Sequence, residues 1–516
     1  MRYRALCLTA AIVLGCGLEY ASPRAQSAAG SEWTTWGYDQ ERSGWNTAEA
    51  TLSKDNVSRL ELKWTAQLST PPSDVVLSTL TAPLVVNTAT TRGPGTLVIV
   101  AGSDNSAYAL DARTGKIAWQ RTFPNALTPK KAATNACPNT ENATPVVDKA
   151  AGIVYLTTTD GQLHELNVLD GKDRAPGAPY IPAFVRNWSL NLIDHVVYTP
   201  FGRGCNDATA QVDAIDTSDP NRHVAVFFTG AARIAGAWGR GGVVRGPKGV
   251  YVQTADGLYD PAVNKFGNTV MAFNLKDLRL VDSFTPANWE YLNAKDLDLS
   301  SAGPLVIPMK PKTLVAAAGK ESVIYLLDAD NLGGADHHTP LYASPHWGND
   351  EMKLFGKGVW GAMATWESRD GTRWILVPLW GPPSKDAPAF RFTYGDANEG
   401  SVLAFQVSMQ NGTPTLIPVW RSRDMHVPDP PVVANGVVYA LQTGENTALD
   451  AGTPKLRSTP VTNATLYAFD AETGRELYSS KNAIPGWTHF SEPVVAGGQV
   501  YVTTRDAKVY AFGLSN

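Results

Sequence analysis

Apolar residues in this chain come in short runs punctuated by turns rich in Gly, Asp and Asn. TLVIVAG from Thr96, GIVYLTT from Gly152, GVYVQT from Gly249, GVVYALQ from Gly436 and QVYVTT from Gln499 share this form. They are rich in β-branched and aromatic residues, the composition of strands buried on both faces. A second class of run carries a Pro near its start: TAPLVV at Thr81, ATPVVD at Ala143, AGPLVI at Ala302, DPPVVA at Asp429 and SEPVVA at Ser491. No stretch holds the 3.6-residue apolar period long enough to predict a substantial helix. The pattern predicts antiparallel sheet throughout.

The runs recur in units. A strand ends in a small residue, one further residue and then Asp or a substitute for it, at Asp111, Asn167, Asp216, Asn274, Asp328, Gln406, Asp470 and Gly513. Each unit has room for four strands, and eight such units predict an all-β, eight-bladed propeller of four-stranded antiparallel blades. The eighth unit stops at Asn516 after its third strand, while LELKWTAQL, Leu60 to Leu68, is a strand without a unit. Pairing the two closes the ring with an N-terminal strand and removes the open edges. One domain over residues 31–516 follows.

The best-kept copies of the repeat are YALDARTGKIAW, Tyr108 to Trp119, and LYAFDAETGRELY, Leu466 to Tyr478. In them Asp111 and Thr114 suit a turn, Gly115 supplies a positive φ, and Trp119 offers a flat face for packing between blades. These positions specify architecture and leave the function open.

Composition narrows the address. The chain has 516 residues, a formal charge of −4 and no basic cluster, so nucleic acid is excluded as an expected partner. MRYR followed by ALCLTAAIVLGCGL reads as a signal peptide over residues 1–27, giving a periplasmic or secreted protein. The alternative is a lipobox at Val13 to Cys16, with a lipoprotein anchored at Cys16. No later segment is long and apolar enough for a transmembrane helix. Two cysteines, Cys137 and Cys205, remain after the leader, and an oxidising compartment favours a bond between them over two free thiols. No Cys-x-x-Cys-His is present to attach haem c, and no Gly-x-Gly-x-x-Gly or Gly-x-Ser-x-Gly context points to nicotinamide or hydrolase chemistry.

The Ala-x-Asp-x-x-Thr-Gly-x-x-x-Trp pattern at Ala109 to Trp119 and the count of eight resemble the pyrroloquinoline quinone (PQQ) repeat. That family holds quinoprotein alcohol dehydrogenases as well as a non-enzymatic outer-membrane assembly lipoprotein. Trp33 to Trp64 also resembles the segment that leads into the closing strand of the dehydrogenases. The resemblance implies PQQ and calcium as cofactors, a small-molecule alcohol or sugar as substrate, and an external electron acceptor such as a cytochrome c. Carried over position by position, it makes Trp238 in AGAWG the floor under the quinone. Asp256 in TADG becomes a calcium ligand, Asp298 in KDLDLSS the catalytic base and calcium neighbour, and Lys320 in AAAGKES the cation facing the quinone oxygens. The adjacent cysteine pair of the family is absent; Cys137 and Cys205 fall in the same region, and a bridge between them beside the cofactor is the implied substitute. Asn206 stands near the place of the family's calcium-binding Glu and is the remaining metal candidate. The missing Glu and vicinal disulfide keep a second expectation open, a non-catalytic propeller serving as a binding or assembly scaffold.

Asp336, His337, His338 and His346 lack metal-ligand spacing and are expected in a loop, and the tryptophans at 360, 366, 374, 380 and 420 are expected to pack within one long blade.

Overall fold

The computed structural model describes Met1 and residues 30–90, 93–230, 235–352, 357–447 and 454–515. Residues 2–27 of the predicted signal peptide, Cys16 among them, lie outside the described residues. Eight antiparallel sheets follow one another along the chain, spanning 84–122, 146–179, 186–228, 244–284, 305–343, 358–421, 432–479 and 494–514, here blades 1 to 8. The ring is closed as expected: Leu60–Gln67 pairs antiparallel with Lys508–Leu514 as the fourth strand of blade 8. Among the described residues no helix is long and apolar enough to cross a membrane.

Apolar side chains from facing sheets fill the space between blades, so the core is distributed around the ring. The repeat motif acts as the fastener between them. Trp119 of blade 1 donates its indole N–H to Val168 O of blade 2 at 2.9 Å and lies against Gly171 there. Trp64 does the same to Ala112 O and Gly115 of blade 1, and Trp420 of blade 6 to Ala471 O and Gly474 of blade 7. Each indole thus covers the glycine that turns the neighbouring blade's repeat. The turn itself is held as the residues demand: Gly115 N donates to Asp111 O, and Thr114 Oγ1 to Asp111 Oδ1, both at 2.8 Å.

Two features differ from the sequence expectation. In blade 6 the third strand, Gly400–Gln410, runs past Gln406 because the reversal is made by Asn411 and Gly412, both at positive φ, instead of by an Asp turn. The N-terminal segment, expected only to lead into the closing strand, crosses the middle of the ring. It bonds to inner strands of seven blades: Trp33 with Val85, Thr34 O with Val147 N, Gln40 with Leu192 O and Arg245 N, Ser43 O with Thr365 N, Gly44 O with Val433 N, and Asn46 Nδ2 with Val495 O. Arg42, buried among these, donates to Gly241 O, Thr35 Oγ1, Trp36 O and Leu190 O.

Candidate functional site

In an antiparallel blade the start of the innermost strand and the hairpin between the second and third strands lie at the same end. Eight blades therefore bring these segments to one end of the axis. The lead-ins supply Arg186 and Trp188 (blade 3), Trp238 and Arg240 (blade 4), Asp296 and Asp298 (blade 5), Trp360 (blade 6), Asp429 (blade 7) and His489, Phe490 and Glu492 (blade 8). The hairpins supply Asp256 (blade 4), Lys320 (blade 5) and Glu445 (blade 7).

Four of these form a compact charged group. Asp256, Asp296 and Asp298 each place a carboxylate oxygen within 4.8 Å of the others. Lys320 Nζ lies 2.5 Å from Asp298 Oδ2 and 3.2 Å from Asp296 Oδ2, and donates to Asp296 O at 2.9 Å. Asp256 N donates to Asp298 Oδ1 at 3.1 Å. The backbone is tight enough here that a Cβ on Gly319 would stand 2.4 Å from Asp298 O, so only glycine lets the Lys320 hairpin approach.

The environments push the three carboxyls apart. Burial alone would raise Asp298, but the Lys320 ammonium and the hydrogen bonds from Asp256 and Lys320 hold it below the usual carboxylate value, and it stays ionised. Asp256 is pushed up to about 7 by burial and then by the charge of Asp298. Asp296 is raised by burial and by Asp298, with Lys320 and Arg203 opposing. Oxygen-only donors at this spacing suit a hard cation such as calcium.

An aromatic wall stands beside the group. Lys320 Nζ is 5.7 Å from the Trp238 ring centre and 5.4 Å from that of Trp360; the two indoles meet edge to face at 5.5 Å. Trp238 also approaches Phe490 at 6.3 Å, and the guanidinium of Arg240 lies over both Phe490 and Trp188. Arg240 is only 2% exposed, yet its Nε and Nη2 find no hydrogen-bond partner among the described residues, and neither does Nε of Arg186. Orphaned buried guanidinium donors are costly unless a ligand completes them. Burial pushes Arg186 down to about 9, with Arg240, Arg203 and Arg457 adding to the effect.

Cys137 and Cys205 are bonded, with Cα atoms 5.4 Å apart. The bridge adjoins the site: Arg186 donates to Asn135 O at 3.3 Å, and Gly202 and Gly236 touch so closely that a Cβ on Gly236 would meet Gly202 Cα at 2.4 Å. The strand leading to Cys205 and the turn carrying Trp238 are thereby locked together.

Trp238, Asp256, Asp298 and Lys320 are thus brought to one place. Asn206 is not: its Oδ1 accepts from Lys130 N and its Nδ2 donates to Ala183 O, and the third carboxylate of the group is Asp296 instead. Asp296 carried a signal in the Asp-Leu-Asp spacing. Trp360, expected as packing, stands in the site's wall, while Trp366 and Trp374 do stack within blade 6, 5.6 Å apart. Arg186, Arg240, Glu445 and His489 carried none, because no motif surrounds them. Asp336 ends a short 3-10 helix and His337, His338 and His346 lie in turn and loop, with the last strand of blade 5, Tyr342–Ala343, between them.

Comparison with known proteins supports the ring. Residues 33–176 match the family model described as glucose/ethanol/alcohol dehydrogenase, beta-propeller domain, and residues 418–515 match that of the outer membrane protein assembly factor BamB. No curated protein matches the chain. Among solved structures, the quinohemoprotein alcohol dehydrogenase ADHIIG from Pseudomonas putida HK5 is similar at TM-score 0.61 and 15% identity, over 94% of this chain and 80% of that one. The quinohemoprotein alcohol dehydrogenase from Comamonas testosteroni is similar at TM-score 0.61 and 14% identity, over 96% and 82%. A europium-containing methanol dehydrogenase is similar at TM-score 0.62 and 15% identity, over 94% and 98%. At these identities the likeness is one of fold. With its eight sheets and its closing strand the chain is an eight-bladed β-propeller, two segments of which, residues 33–176 and 418–515, match PQQ-type family models.

Proposed function

We propose that this chain is a PQQ-dependent dehydrogenase-like protein that oxidises an alcohol or sugar hydroxyl and passes the electrons to a separate acceptor such as a cytochrome c. The observation that carries the reading is the convergence of Asp256, Asp296, Asp298 and Lys320 beside the Trp238 face at one end of the ring. The donor set suits the cofactor: flat indole surface for a planar tricycle, orphaned guanidinium donors on Arg186 and Arg240 for its carboxylates, and three carboxylates for calcium. When bound, PQQ with its calcium supplies an electrophilic quinone carbonyl that takes up the hydride equivalent of the alcohol.

The chain's own residues then divide the work. Asp298, ionised beside Lys320, takes the proton of the substrate hydroxyl at its carboxylate oxygen. Lys320 places positive charge where negative charge develops on a neighbouring oxygen. Asp256, Asp296 and Asp298 would hold the metal, and Trp238 with the Cys137–Cys205 bridge would confine the cofactor. The N-terminal leader pattern supports action in the periplasm or outside the cell.

The match of residues 418–515 to an assembly factor favours a second reading, a propeller that binds a partner without catalysis. Purified protein supplied with PQQ and Ca²⁺ and assayed with a redox dye separates the two. Alcohol-dependent dye reduction that falls about a hundredfold or more in Asp298→Asn supports the enzyme. Absence of both dye reduction and quinone binding leaves the scaffold.

A further inference from the structure

At the same end of the ring as Asp298, on blades 7 and 8, stands a second polar cluster to which the oxidation assigns no task. Its centre is His489, in the lead-in of blade 8, whose Nδ1 lies 2.6 Å from Glu445 Oε2 in the hairpin of blade 7. Both residues are 4% exposed. Arg457 Nη1, from the same blade 7, reaches the same Glu445 oxygen at 3.4 Å, and Ser78 Oγ, ahead of blade 1, donates to His489 O at 2.8 Å. The imidazole lies against Phe490 at 3.9 Å between ring centres, and Phe490 in turn approaches Trp238 and lies under Arg240. The cluster is therefore continuous with the aromatic wall of the site.

The polarity of the pair is settled by its partners. Burial alone would raise Glu445, but His489 and Arg457 hold it below the usual carboxylate value, so it is an acceptor. An ionised carboxylate on Nδ1 takes the ring's N–H there, and a neutral imidazole has no second one. Burial, with Arg457 and Arg186, pushes the imidazole down to about 4 against the opposing pull of Glu445, so it is neutral near pH 7. Nε2 is then a bare lone pair, and among the described residues no hydrogen bond reaches it. A histidine held only for packing has no need of this arrangement, in which one nitrogen is saturated and the other kept open.

We propose that the His489–Glu445 pair is a second base of this end of the ring: His489 Nε2 accepts a hydrogen bond from an O–H or N–H donor of the bound ligand, and Glu445 fixes the tautomer that makes this possible. His489 is the ligand-contacting member; Glu445 is a positioning residue. The other charged groups around the pair are Arg186, Arg240, Arg457, His426, Asp429 and Glu492.

Two arms test it, and only the second depends on the dehydrogenase reading. In the protein without cofactor, ¹⁵N-histidine NMR between pH 5 and 8 reads the tautomer directly. The expected signal is Nδ1 protonated and Nε2 bare across the whole range, lost or mixed in Glu445→Gln. An Nε2–H tautomer or an imidazolium at pH 6.5 overturns the proposal whatever the protein binds. In the second arm PQQ with Ca²⁺ is the probe. Its addition shifts the His489 Nε2 resonance, and His489→Phe, which keeps the ring and removes the lone pair, weakens its binding about tenfold. Unchanged affinity in a folded His489→Phe protein, together with an unmoved Nε2 resonance, makes the pair structural. If that variant fails to fold, Glu445→Gln carries the comparison, with the same tenfold loss expected and unchanged affinity overturning it. Failure of the wild type to bind PQQ defeats the proposed function, and the pair is then judged by the tautomer alone, which either stands as a base or does not.

Discussion

Lys320 is 3% exposed and serves two carboxylates at once, so its loss is felt twice. Removing one partner of a buried pair leaves the other charge uncompensated, and Lys320→Met is expected to lower the unfolding free energy by about 3–5 kcal/mol. Urea denaturation measures this, and Lys320→Met combined with Asp298→Asn is expected to recover part of the loss. Glu141 shows the opposite pH sign from Asp298. Burial pushes it from 4.5 to about 7, so the folded chain holds a proton that the unfolded chain has released. Stability from this group is present below pH 4.5 and is lost as the pH rises to about 7. Glu141→Gln is expected to flatten that part of the stability profile; a wild-type profile parallel to the variant's from pH 4.5 to 7 contradicts it. At this scale the sequence made legible the residues sitting in motifs, namely Trp238, Asp256, Asp298 and Lys320. Arg240, Glu445 and His489 were hidden because their partners lie on other blades, up to hundreds of residues away, and nothing local constrains their neighbours.

The element-scale unit is the repeat turn with the tryptophan that covers it. Gly115 has φ +69°, and a Cβ there would meet Trp64 at 2.5 Å, so Gly115→Ala strains the backbone and displaces the indole together. A loss of roughly 1–3 kcal/mol is expected. Trp119→Ala opens the seam between blades 1 and 2 and is expected to cost about 3–5 kcal/mol, read by thermal or urea unfolding. Loss of less than 1 kcal/mol from both would deny the fastener role. The strands and these turns were readable because each depends on residues within a dozen positions. Where the turn chemistry changed, at Asn411 and Gly412, the strand outran its expected end.

For the whole molecule, two devices hold the ring. The closing strand, Leu60–Gln67, was visible as a strand in want of a sheet. The axial segment was not, because Trp33 to Asn46 has no strand pattern and its bonds run one or two to a blade. Deleting residues 31–46 while keeping the closing strand is expected to lower the unfolding temperature and broaden the transition, since seven blades lose a common tie. A sharp transition at the wild-type temperature contradicts this. The same ring geometry gathers lead-ins and hairpins at one end, which is how residues unrelated in sequence come to share a site. The central claim, that this end holds PQQ, is tested most directly by titrating the protein with PQQ in the presence of Ca²⁺ and following tryptophan fluorescence and quinone absorbance. Saturation at one equivalent, weakened at least tenfold in both Arg240→Met and Asp298→Asn, is the predicted result. No saturable binding, or binding indifferent to both substitutions, contradicts it.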